Sequence, residues 1–360
     1  MRAAIALCAV LSLWPRAAAA QYIDQRVAYK YILDGSGHRP PGAYDNQAKL
    51  QRVIDATNKM LDRFGRGYRF VLEPSEDVSG ATQFYDLTQS EFDNQLRLTA
   101  QANPSQYHWR TDALNIYIVN ASFTGGAAEI PSYFLPNADV MEWVCSNDPV
   151  YSDIRMCHEI GHHNGLWHTF ETTGKGFFGD CPNDDCVGDT RFDPELSCAT
   201  KFGCTTGGGN ECCCSTKIQL LNLKSAVEGW TPAEYNAIRW NVMSYFGAND
   251  CVDPPIGAPL TFDNMLLTSG QLDRWADATR RYHAGEVTGF TYFVDRSQNV
   301  VSPDGYSDKP YKTVFAGVAA AMAAGSAHIV NVRGGAYPEN LTLNSHVTLR
   351  ANRGAAIIGQ

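Results

Sequence analysis

Residues 158–168 read His-Glu-Ile-Gly-His-His-Asn-Gly-Leu-Trp-His, the pattern H-E-x-x-H-x-x-G-x-x-H. On a helix His158 and His162 stand one turn apart, so both imidazoles share a face and can reach one ion about 2 Å from each ring nitrogen. Glu159 sits one residue round, beside the place that ion would leave open. Gly165 lets the chain leave the helix through the left-handed backbone that glycine tolerates, and His168 then returns as third ligand. Three histidines leave a fourth position for water, which is how a catalytic zinc is held. His163 points away from that face and is expected in solvent or behind the ligands. Cys157 is expected as a buried or disulfide-bonded thiol.

Helical spacing of Leu50, Val53, Ile54, Met60 and Leu61 predicts a helix over residues 46–64, between strands at 26–33 and 68–72. The apolar run at 114–119 is the best strand signal, and 125–133 reads as an extended edge ending near Pro131. A helix over about 152–164 carries the histidines, a loop-rich stretch runs to about Cys214, residues 241–245 form a tight turn, and a closing helix runs from an N-cap at Ser269 to Tyr282. The order predicts a mixed α/β (α+β) layer in one domain, residues 21–286.

The chain has 360 residues, 44% hydrophobic, with a net charge of -9 and no basic stripe to neutralise a phosphate backbone, so nucleic acid is not expected as a partner. Arg2, an apolar run to Trp14 and the alanines before Gln21 match a secretory signal, residues 1–20, cut after Ala20; the run falls short of a bilayer span, so no membrane insertion is expected. Of the 11 cysteines, Cys8 lies in that segment, leaving an even set between 145 and 251, and export makes disulfides the default reading.

Beyond residue 290 short β-rich runs appear at 292–294, 328–332, 341–343, 347–349 and 356–358, around a helix over about 309–324. Residues 310–314 and 329–343 resemble the opening cap and first rungs of right-handed parallel β-helix proteins of the pectinase-like group. The resemblance implies an all-β partial β-helix over 287–360, which as one or two rungs needs either further rungs or the first domain to lean on.

The histidine motif, with Asn241-Val-Met-Ser-Tyr245 some way downstream, resembles the metzincin zinc peptidases. His168-Thr169-Phe170, Gly188-Asp189-Thr190 and Leu267-Thr-Ser-Gly-Gln271 resemble their pappalysin or cytophagalysin branch. That likeness implies a twisted mixed sheet, a zinc helix, and a turn whose Met243 forms an apolar floor beneath the ligands. It also implies Ca2+ in the loop after the zinc helix, where Asp180, Asp184, Asp185, Asp189 and Thr190 offer hard oxygens. His163-Asn164 stand where the branch usually has an aromatic and a leucine, and Arg191 where a proline often follows.

These readings together predict a secreted, zinc-dependent endopeptidase acting on protein or peptide, with Glu159 as general base and Tyr245 either donating to the oxyanion or packing. The substrate would lie extended along Gly126, Ala127, Ala128, Glu129 and Ile130. The alternative is a secreted surface or carbohydrate-binding protein with a non-catalytic metal site; a polysaccharide or cell surface is the partner the C-terminal segment would contact. Paired carboxylates suited to glycoside hydrolysis do not stand out in 290–360.

Overall fold

The computed structural model describes residues 22–42, 44–87, 95–120, 126–128, 140–144, 149–169, 185, 187–191, 214–244, 263–325, 328–343 and 347–359. The signal-like segment lies outside them, as do Glu129, Ile130, Asp180, Asp184 and Tyr245. Among the described residues no helix is long and apolar enough to cross a membrane.

Two parallel-rich sheets organise the chain. The first contains β1 (Ile23–Ile32), β2 (Tyr68–Leu72), β3 (Glu76–Val78), β4 (Leu114–Val119), β5 (Gly126–Ala128) and β6 (Val140–Val144), in the order β2-β1-β4-β6-β5 with β3 also on β1. All pairings are parallel except β5 on β6. β4 is buried along its whole length. Leu114, Ile116 and Ile118 face one apolar cluster while Tyr117 and Val119 face another, the period-2 division of a strand covered on both sides.

Helix α1 (Gln47–Phe64) packs on the first cluster through Leu50, Val53, Ile54, Met60 and Leu61. The Asn46 side chain accepts the Lys49 N–H at 3.1 Å to cap it, and Gly65 ends it at φ 64°. Helices α2 (Leu96–Ala102) and α3 (Pro104–Tyr107) cover the other face through Leu96, Ala100 and Tyr107. The histidine helix α4 (Pro149–His163) packs against β5 and β6. Helices α5 (Cys214–Glu228) and α6 (Pro232–Arg239) follow the stretch expected to be loop, over residues to which the sequence assigned no element; a Thr231–Glu234 capping box starts the second. The closing helix α7 (Ser269–Tyr282) is capped by Thr268, not Ser269: the Thr268 hydroxyl accepts from Gln271 N while the Gln271 side chain accepts the Thr268 N–H.

The second sheet, β7 (Thr291–Val294), β8 (His328–Tyr337) and β9 (Val347–Ile358), is parallel in that order, with α8 (Val314–Ala323) on one face. Two expectations need correcting. Residues 341–343 form no strand, and the runs at 347–349 and 356–358 are one continuous strand through the polar stretch between them. Phe293 and Ile329 are buried in the same cluster as Trp275 of α7. The contact is close at Gly67, where an added Cβ would lie 2.7 Å from Ile329 Cδ1.

Candidate metal centre

A Schellman motif ends α4: Gly165 N–H bonds the His162 carbonyl at 2.8 Å, Leu166 N–H bonds the Gly161 carbonyl at 3.0 Å, and Gly165 takes φ 83°. A Cβ at Gly165 would also lie 2.6 Å from Ala278 Cβ, so both the left-handed backbone and the approach of α7 require glycine. The reversed chain carries His168 back over the helix.

The Nε2 atoms of His158, His162 and His168 form a triangle with sides of 3.1 Å. An ion held tetrahedrally about 2.0–2.1 Å from each nitrogen sets the nitrogens about 3.3 Å apart, so the triangle needs to open only slightly. His158 Nδ1–H donates to the Val242 carbonyl at 2.7 Å, and His162 Nδ1–H to the Leu166 carbonyl at 2.8 Å. Both rings therefore turn bare Nε2 lone pairs toward the same point, which is repulsive between neutral imidazoles and attractive around a cation. Burial, with His168 adding to it, pushes His158 down to about 3 and His162 well below its ordinary value, keeping both neutral as ligands must be. These three residues can hold a metal ion. Glu159, next on the helix, is buried at 8% exposure.

Beneath the ligands lies the turn at residues 241–244. The Asn241 side chain accepts Met243 N–H at 2.9 Å and donates to Gln271 Oε1 at 2.9 Å, while Val242 N–H reaches the Leu266 carbonyl at 3.0 Å. The Met243 carbonyl accepts Thr169 N–H at 3.3 Å, tying the turn to the segment bearing the third ligand. Met243 is fully buried, and a Cβ on Gly161 would lie 2.5 Å from its sulfur. Gly161 was not singled out in the sequence; its signal is a glycine inside a helix, which costs helix stability unless a neighbour needs the space.

Asp185, 1% exposed, accepts Val187 N–H at 3.0 Å and Gln271 Nε2 at 3.2 Å. Burial pushes its carboxyl up to about 7. Gln271 thus links the loop to Asn241 and the turn. Asp189 accepts Gly270 N–H at 2.8 Å at the start of α7, and Thr190 N–H bonds the Val187 carbonyl at 3.2 Å. Of the expected calcium ligands, Asp185 and Asp189 accept from protein donors; Asp180 and Asp184 lie outside the described residues.

Gly126, Ala127 and Ala128 form β5, antiparallel to β6 at the end of the sheet, and its far side has no partner strand among the described residues.

His163 is not in solvent. It is fully buried behind the ligands, its ring 4.0 Å from that of His283, and its Nε2 meets Glu286 Oε2 at 3.0 Å. His283 Nδ1 faces Glu286 Oε1 at 3.0 Å and its Nε2 faces the His163 carbonyl at 2.8 Å. With an acceptor at each ring nitrogen, His283 satisfies both contacts by donating as an imidazolium. Burial opposes ionisation of Glu286, but His163 and His283 outweigh it and hold the carboxyl well below the usual range. Three of the group's atoms would be near enough for an ion, yet hydrogen bonds already explain the arrangement. Asn164 is likewise buried and accepts the Thr279 hydroxyl at 3.1 Å. His163 and Asn164 thus meet polar partners in the last turn of α7 and just beyond it.

Cys157 is buried, its sulfur 3.0 Å from the Thr57 hydroxyl.

No known protein family matches the chain, and no curated protein is similar to it. One solved structure, described as "Structure of a chaperone-substrate complex", is similar over 40% of this chain and 24% of that chain, at 15% identity and a TM-score of 0.26. A likeness of that size carries no argument about fold or function.

Proposed function

We propose that the chain is a secreted zinc endopeptidase of the metzincin kind. The observation that carries this reading is the 3.1 Å triangle of Nε2 atoms, with two tautomers fixed by backbone carbonyls and a buried glutamate adjacent in the helix. An all-nitrogen, three-sided site suits zinc with one position open. Bound there, zinc would supply Lewis acidity toward a water and a scissile carbonyl.

The chain's own residues do the rest. Glu159 takes the proton of the attacking water and returns it to the leaving amine. Tyr245, next after the turn, is the proposed donor to the oxyanion. Met243 presses an apolar floor against Gly161 of the ligand-bearing helix. An extended substrate pairs its backbone with the far side of β5 and continues along Glu129 and Ile130. The signal-like segment at residues 1–20 supports export.

The test is Glu159→Ala. Metal analysis should find the variant loaded like the parent, while cleavage of a denatured protein mixture falls by about a hundredfold or more. A chelator should stop the parent and added zinc restore it. Full proteolysis by the variant would remove Glu159 from its role, and absence of metal from both proteins would remove the proposal.

A further inference from the structure

A cavity of about 370 Å³ lies between α7 and the second sheet, within the range of about 300–1,000 Å³ usual for small-molecule sites. Four aspartates and four arginines line it, so its wall carries no formal net charge. Asp273 pairs with Arg353 at 3.1 Å and Asp295 with Arg333 at 2.7 Å, while Asp277 accepts Ser307 N–H at 3.0 Å. Phe293 and Tyr282 add ring surface to the same wall.

Asn331 supplies the decisive detail. Along β8, Val330 and Val332 turn into the cluster under α8, whereas Ile329 turns into the cluster shared with α7. By strand alternation Asn331 faces the α7 side, where it lines the cavity. It is 3% exposed, and its Oδ1 has no hydrogen-bond partner. Buried acceptors are ordinarily satisfied, so this one calls for a donor from whatever fills the space.

We infer that the cavity binds a neutral polyhydroxylated ligand, a sugar residue, with one hydroxyl donating to Asn331 Oδ1. Its other hydroxyls would exchange hydrogen bonds with the carboxylates and guanidiniums, and its C–H face would lie against Phe293 or Tyr282. A wall with equal numbers of opposite formal charges gives an anion or a cation no net attraction, and a purely apolar ligand would leave the polar groups unmet. The inference does not rest on zinc or on proteolysis.

The test uses the whole chain in saturation-transfer NMR and thermal melts with glucose, galactose, mannose and N-acetylglucosamine, against glycine and inorganic phosphate. Asn331→Leu removes the acceptor at similar size. Gly188→Leu adds bulk to the cavity from a position where a new Cβ meets nothing within 4 Å, and it serves if the first variant fails to fold. At least one neutral sugar should bind and raise the melting temperature. Either folded variant should weaken that binding about tenfold or more while melting like the parent without sugar. Transfer from no sugar, showing a cavity that holds water only, would overturn the inference. So would binding of glycine or phosphate alone, or sugar binding untouched by the folded variants.

Discussion

Gly161→Ala sets two effects of opposite sign against each other. In an open helix interior the change stabilises by about 0.5–1 kcal/mol, because alanine restricts the unfolded chain and favours the helix. Here the new Cβ would lie 2.5 Å from Met243 Sδ and 3.4 Å from its Cε, against ordinary contact at about 3.5–4.0 Å. Met243 is fully buried, so its thioether can yield only by re-packing against its neighbours or moving the turn, at about 1–3 kcal/mol for an overpacked core. The net expectation is a loss of about 1–2 kcal/mol in denaturant unfolding of metal-stripped protein. The same turn presents the Val242 carbonyl that orients His158, so metal affinity, read by competition with a chelator, should fall about 10–100-fold. Met243→Ala removes the obstructing sulfur, and the double variant should show a coupling of about 1 kcal/mol or more in a mutant cycle. A single variant that gains the full helix increment with unchanged metal affinity would refute the reasoning.

The buried group behind the ligands and the seam between the sheets give two further expectations. Glu286→Gln leaves the His283 imidazolium without its counter-charge and should cost about 3–5 kcal/mol in chemical denaturation at neutral pH; a change below about 1 kcal/mol would show that His283 is neutral. Burial, reinforced by Asp308 and Asp273, pushes the Asp277 carboxyl up to about 7 from an ordinary 3.8. A raised acid stabilises the fold fully below its unfolded value and loses that contribution as pH rises through the folded value. Asp277→Asn should therefore match the parent near pH 4 and exceed it by about 1–3 kcal/mol near pH 8, measured as unfolding free energy across that range; a constant difference would place the titration elsewhere.

The ligand set was legible because a helix fixes the spacing of His158 and His162 locally, and Gly165 announces where the chain turns back. The elements at 47–64, 68–72, 114–119 and 269–282 were legible for the same reason: each has a clear apolar period or end signal within its own residues. His163 was not, since its partners His283 and Glu286 stand 120 and 123 residues away and only tertiary packing brings them together. Helix α5 follows a cysteine- and glycine-rich stretch that reads as loop, and its apolar residues do not collect on one stripe. Arg350, Asn352 and Arg353 interrupt the apolar residues of strand β9 and split its sequence signal in two; backbone pairing with β8 carries the strand through them. Gln271 read as an N-terminal helix residue, and its bridge from Asp185 to Asn241 depends on two distant loops arriving beside it.

Phe293 and Ile329 were described as sharing a cluster with Trp275, and Arg350 Nη1 donates to the Gly65 carbonyl at 2.6 Å. The boundary drawn from composition near residue 286 therefore runs through a common interior. A fragment ending there would expose an oily face and strip guanidinium partners from Asp273 and from the end of α1. The histidine-bearing half and the carboxy-terminal half should melt in a single transition, and only a preparation retaining both preserves the scaffold on which the ligands are mounted.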